Sequence, residues 1–134
     1  MANEAVAIEK SIIPAVRRTC SGTAQISKGA ILCLNDANLA TNSAQTNEVF
    51  AGIAAADKDT ADGASYVAAH LNGVFDCALA PTVSCSTGAL LMISGANLLK
   101  TVTEYASISG GMIVGKAEEE GTTGETIRVR LLGY

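Results

Sequence analysis

Asp57-Lys58-Asp59-Thr60-Ala61-Asp62-Gly63 gathers three carboxylates and a glycine in one short stretch, the residue types with which a loop wraps a calcium ion. The spacing does not suit that ion: the third acid arrives one residue late, and no glutamate follows at the bidentate closing position. Glu118-Glu119-Glu120-Gly121-Thr122-Thr123-Gly124-Glu125 is acidic too, again without ligand spacing, so both stretches read as solvated loops. His70 is the only histidine and has small neighbours, and no serine or cysteine has the context of a nucleophile elbow. Cys20, Cys33, Cys77 and Cys85 form no CxxC pair and have no zinc-ligand spacing, so reduced, buried thiols are expected. Gly110-Gly111 precedes an apolar strand instead of a helix and does not resemble a phosphate cradle. Lys116 invites comparison with carrier domains modified on lysine, but the halves of those domains are shorter. No catalytic residue, metal or other cofactor is assigned, and the chain is not expected to be an enzyme.

The elements that hold these residues are written twice. Gly29-Ala30-Ile31-Leu32-Cys33-Leu34-Asn35-Asp36-Ala37-Asn38-Leu39-Ala40 aligns without a gap on Gly88-Ala89-Leu90-Leu91-Met92-Ile93-Ser94-Gly95-Ala96-Asn97-Leu98-Leu99. The match resumes where Val49-Phe50-Ala51-Gly52-Ile53-Ala54 meets Met112-Ile113-Val114-Gly115-Lys116-Ala117. An acidic turn and an apolar strand follow in each half, with Gly63 set against Gly124. Strands are expected over 29–34, 48–56, 65–71, 74–79, 88–93, 111–117 and 125–132, separated by Asn, Asp, Gly, Ser and Thr clusters. Only the last alternates cleanly, with Ile127, Val129 and Leu131 opposite Thr126, Arg128 and Arg130. Segments 37–45 and 97–105 read as polar or mixed connections. The expected fold is all-β, a small pseudo-twofold barrel or sandwich of two similar halves, about 25–74 and 84–134, forming one domain over 25–134.

Composition limits the function further. The 134 residues are 49% hydrophobic but only 4% aromatic, without tryptophan, so few large side chains are available to bury. Each contributes roughly 1.5–3 kcal/mol when buried, and help from neighbouring subunits is expected. The net charge of −4 divides into a slightly basic start, residues 1–28, and an acidic remainder without a basic patch. Nucleic acid is therefore not an expected partner. No apolar run is long enough for a membrane-spanning helix, and Met1 to Lys10 does not read as a secretory leader.

Residues 1–24 have no counterpart in the aligned repeat and read as an extended N-terminal arm. Its apolar residues Ile8, Ile12, Ile13 and Val16 are flanked by Lys10, Arg17 and Arg18, and Pro14 breaks any helix near its middle. Two roles remain open at this stage: a first strand of the same barrel, or an arm lying on a partner. In the second role these eight residues are the candidate contacts.

Five strings in order, Ser27-Lys28-Gly29-Ala30-Ile31-Leu32, Gly52-Ile53-Ala54, Gly63 through Tyr66-Val67 to Gly73-Val74-Phe75, Ser86-Thr87-Gly88-Ala89-Leu90-Leu91 and Ile127-Arg128-Val129-Arg130-Leu131, resemble the capsid decoration proteins of tailed bacteriophages. The resemblance covers about residues 25–134. The chain departs from the family pattern at Met92-Ile93-Ser94, where a bulky aromatic is common, and in its longer N-terminal segment. The resemblance implies a protein made in the bacterial host cytoplasm that joins the outer surface of the virion. There it would bind the major capsid protein and cement an icosahedral head, usually as a homotrimer. The alternative is a cellular β-barrel binding module or small enzyme.

Overall fold

The computed structural model describes residues 4–10, 15–35, 39–42, 48–102 and 111–132. Strands make up all the regular structure among them, as the sequence predicts. In chain order these are β1 (Val6–Lys10), β2 (Val16–Thr19), β3 (Ile31–Leu34), β4 (Ala40–Thr41), β5 (Val49–Ala54), β6 (Tyr66–His70), β7 (Gly73–Leu79), β8 (Leu90–Gly95), β9 (Leu98–Thr101), β10 (Ile113–Ala117) and β11 (Thr126–Leu131).

One sheet runs β2-β6-β5-β3-β4 and the other β1-β7-β11-β10-β8-β9. Without β1, the two orders superimpose strand for strand. Each order closes on itself by a parallel contact: Ala78 and Leu79 of β7 pair with Leu98 and Leu99 of β9, and Cys20, just past β2, bridges Ala40 of β4. Each half is thus a small five-stranded barrel, a closure that leaves fewer exposed strand edges than an open sheet.

The repetition extends to register. Ile31, Leu32 and Cys33 face Ile53, Gly52 and Phe50, just as Leu90, Leu91 and Met92 face Lys116, Gly115 and Ile113, so both halves carry a bulge at the same place, at Ala51 and Val114. Gly29 and Gly88 have φ of 90° and 89°, a left-handed conformation that glycine adopts without steric cost, and each N–H donates to the carbonyl of the alanine ending β5 or β10. At Gly115 a Cβ would run into the Arg130 backbone, and at Gly52 it would crowd Ala69 and His70, so close strand approach explains glycine at both.

Three expectations need correction. Segments 37–45 and 97–105 are not only connections, because they contain β4 and β9. Gly63 is not the structural equivalent of Gly124. The matching turns are Asp59–Asp62 and Thr122–Glu125, each closed by a backbone hydrogen bond, and Gly124 lies inside the second turn while Gly63 follows the first. Gly63, Ala64 and Ser65 are extra residues of the first half, inserted in a loop, so the strand faces are preserved. Finally, the first barrel includes part of the segment preceding residue 25. β2 pairs with β6 as β7 pairs with β11, which gives each half a strand that the sequence alignment leaves out.

The two interiors are filled differently. Leu79, Leu99, Val114, Ile127 and Val129 line the second barrel; Cys20, Ala40, Ala51, Val67 and Ala69 hold the equivalent places in the first. The smaller set leaves volume for a long side chain, and Lys58, only 2% exposed, enters the first barrel where the second has Gly121. Any side chain at 121 would collide with Ile127 and Leu79, so the larger apolar core requires glycine there. Asn97, buried and at φ 58°, ties the halves together by accepting a hydrogen bond from the Ile31 N–H at 2.9 Å.

Candidate interaction surface

Of the eight candidate contact residues, Ile12, Ile13 and Pro14 lie outside the described residues. Ile8 and Lys10 belong to β1, which runs antiparallel to β7 with Val6 opposite Asp76 and Lys10 opposite Gly73. The register slips between Ala7 and Glu9, so Ile8 falls in a bulge. The remaining three are on β2 and face three different surroundings. Val16 packs half-buried against the main core, Arg17 is exposed, and Arg18 is half-buried.

Arg18 follows from the bulge in β5. A bulged residue is left out of the ladder, and its carbonyl needs another donor. Arg18 Nε–H donates to the Ala51 carbonyl at 2.9 Å; the equivalent carbonyl of Val114 receives the Leu132 N–H at 3.1 Å. Arg17 places its guanidinium 4.2 Å from the centre of the Tyr66 ring, an exposed cation–π contact of about 0.5–1 kcal/mol. The structure therefore brings Val16, Arg17 and Arg18 together on one short strand but gives Val16 and Arg18 work inside their own barrel. Tyr66 and Val6, the latter 59% exposed, join Arg17 as large exposed side chains that the sequence reading does not single out.

The stretch with calcium-like composition is exposed, as expected of a solvated loop, at every residue but Lys58. Lys58 Nζ sits 3.2, 3.3 and 3.1 Å from the carbonyl oxygens of Gly22, Ala24 and Asp59, and 3.2 Å from Asp62 Oδ1. An ammonium thus occupies the centre of an oxygen cage and joins the 22–24 segment to the 58–62 turn. Asp62 Oδ1 also accepts from the Ala64 N–H, and Oδ2 from the Asp59 N–H; these bonds and Lys58 hold its carboxyl below the usual range. Glu125 repeats the turn-closing bond in the other half, accepting from the Thr122 N–H at 2.9 Å. No three metal-ligating side chains converge among the described residues.

The thiols are far apart in chemistry from nucleophiles. Cys20, Cys33 and Cys77 are buried, Cys85 is half-buried, and all are free. Burial pushes Cys33 up to about 11, with Glu48 adding to the effect, and pushes Cys77 up to about 12. A cleft of about 290 Å³ lies between the start of β1 and the first barrel, lined by Lys28, Gly29, His70 and Phe75 among others. His70 stacks at a tilt on Phe75, with ring centres 5.7 Å apart. Lys116 is the penultimate residue of β10, paired with Leu90 and Arg130, and is not at a hairpin tip.

No protein-family model matches the chain, and no curated protein matches it.

Proposed function

We propose that the protein is a structural virion component that binds the outer surface of an icosahedral phage head and cements its capsomers, acting as a homotrimer on the major capsid protein. The observation that carries this reading is where the resemblance strings fall. Ser27 to Leu32 and Ser86 to Leu91 form the same turn into the same strand of two fused barrels, with near-identical glycine conformations. The strings that resemble decoration proteins are therefore the fold-determining parts of the chain.

The work done by the described polar side chains supports binding over turnover. Lys58, Asp62, Arg18 and Asn97 all hold the chain's own backbone, while the thiols are protonated at neutral pH. Trimer formation would supply apolar burial that a chain of small side chains lacks.

The test is co-sedimentation of purified protein with expanded heads assembled without it. Saturable binding in multiples of three per capsomer junction is the expected result. Failure to sediment with heads under conditions that preserve both components would reject the proposal.

A further inference from the structure

The second barrel holds a strand on the outer edge of β7, and the first barrel has the same edge without one among the described residues. Along β7, alternate residues bond to β11, as the Leu79 N–H does to Glu125 O at 2.9 Å, so Asp76 turns its backbone groups the other way and pairs with Val6 of β1. Along β2, the Cys20 N–H bonds to Ser65 O at 2.9 Å, so Arg17, the counterpart of Asp76, also directs its N–H and C=O away from β6. No strand of the described residues pairs with that side of Val16–Thr19.

A second observation marks the same place. β1 is anchored at its start by the Ala5 N–H, which donates to Gly29 O at 2.7 Å, and Ala5 and Glu4 crowd the Gly29 α-carbon. Gly88 has the same φ, and its N–H and the neighbouring backbone bonds repeat those of Gly29, yet no heavy atom of the described residues lies within 4 Å of where its Cβ would be. The pseudo-twofold relation that exchanges the barrels carries Gly29 with the β7 edge onto Gly88 with the β2 edge. One such site is filled by the chain itself, and among the described residues its counterpart is open.

We infer that the outer edge of β2, together with Gly88, is a docking site for one extended strand of a partner protein, antiparallel to β2 and carrying a carboxylate opposite Arg17. The strand geometry is that of β1 on β7. The carboxylate follows from charge, because the edge residue that is acidic on β7 is Arg17 on β2. Main-chain bonds supply the attachment and the charge pair selects the partner.

A synthetic peptide of residues 1–10 carrying V6E places a carboxylate at the required position and serves as the probe. Titrated into isotope-labelled full-length protein, it should shift the amide resonances of Arg17–Thr19 and Thr87–Ala89, and the same peptide with V6K should bind about fivefold more weakly. R17E in the protein should reverse that order. R17P removes the outward N–H while leaving the bonds to β6, and should abolish binding with the β6 amides unmoved. The inference is overturned by no binding at millimolar peptide, by shifts confined to Gly73–Asp76, by equal affinity for the two peptides, or by unchanged binding to the R17P protein. If R17P fails to fold, the order reversal in R17E decides the matter alone.

Discussion

At the scale of single residues, the most consequential side chain is Lys58, which carries a charge into a barrel whose other buried residues are apolar. Its ammonium is stabilised by three carbonyls and one carboxylate, so removing it leaves these part-buried acceptors without their donor. Lys58→Ala should destabilise the protein by about 2–4 kcal/mol, from lost hydrogen bonds and the vacated volume, measured by denaturant unfolding. Lys58→Met, which keeps most of the stem, should recover the packing part of that loss and not the rest. Asp62 makes the site pH-dependent. Its folded value lies below the unfolded 3.8, so its contribution is complete above that pH and disappears as pH falls through the folded value. Asp62→Asn should flatten the acid limb of a Tm-against-pH curve; an unchanged limb would place the effect elsewhere. Two thiols give a further check: with Cys33 at about 11 and Cys77 at about 12, alkylation of these two at pH 8 should be negligible in native protein and complete on unfolding.

At the scale of elements, the two N-terminal strands have different roles. β2 closes the first barrel through β6 and Cys20, whereas β1 adds to a second barrel that is already closed by β9. A chain starting at Thr23 should therefore lose cooperative folding, while one starting at Ala15 should fold with reduced stability; circular dichroism melts of the two distinguish these outcomes. Why the sequence shows one set of strands and hides another has a physical basis. β3, β5, β6, β7, β8, β10 and β11 are legible because apolar runs are bounded by turn residues, and for all of them except β7 the repeat supports the run against its counterpart. β4 is only Ala40–Thr41 and β9 only Leu98-Leu99-Lys100-Thr101, too short to show a period, and they exist through pairing with β3, β8 and β7, which local composition does not encode. β2 is hidden for a related reason. Its side chains match those of β7 only at Val16 and Phe75, which both meet the main core; Arg17 stands against Asp76, and Arg18 reaches a bulge carbonyl where the second barrel buries the Cys77 thiol. The buried Lys58 was equally invisible: its neighbours looked like a solvated acidic loop, and only the smaller residues at the core positions of the first half hint at the missing volume.

At the scale of the whole molecule, two barrels are joined through Asn97 and a common core, and the described charged groups mostly serve the chain's own loops. Such a molecule suits a role in which shape and strand edges meet a partner, and the small side chains of the first barrel leave stability to be gained from assembly. The proposed cementing function is tested most directly by cryo-electron imaging of expanded heads, assembled without the protein and then mixed with it. The account predicts threefold-symmetric protrusions over capsomer junctions, each subunit resolvable as two similar β barrels. Bare capsomer junctions on heads incubated with an excess of folded protein would contradict it.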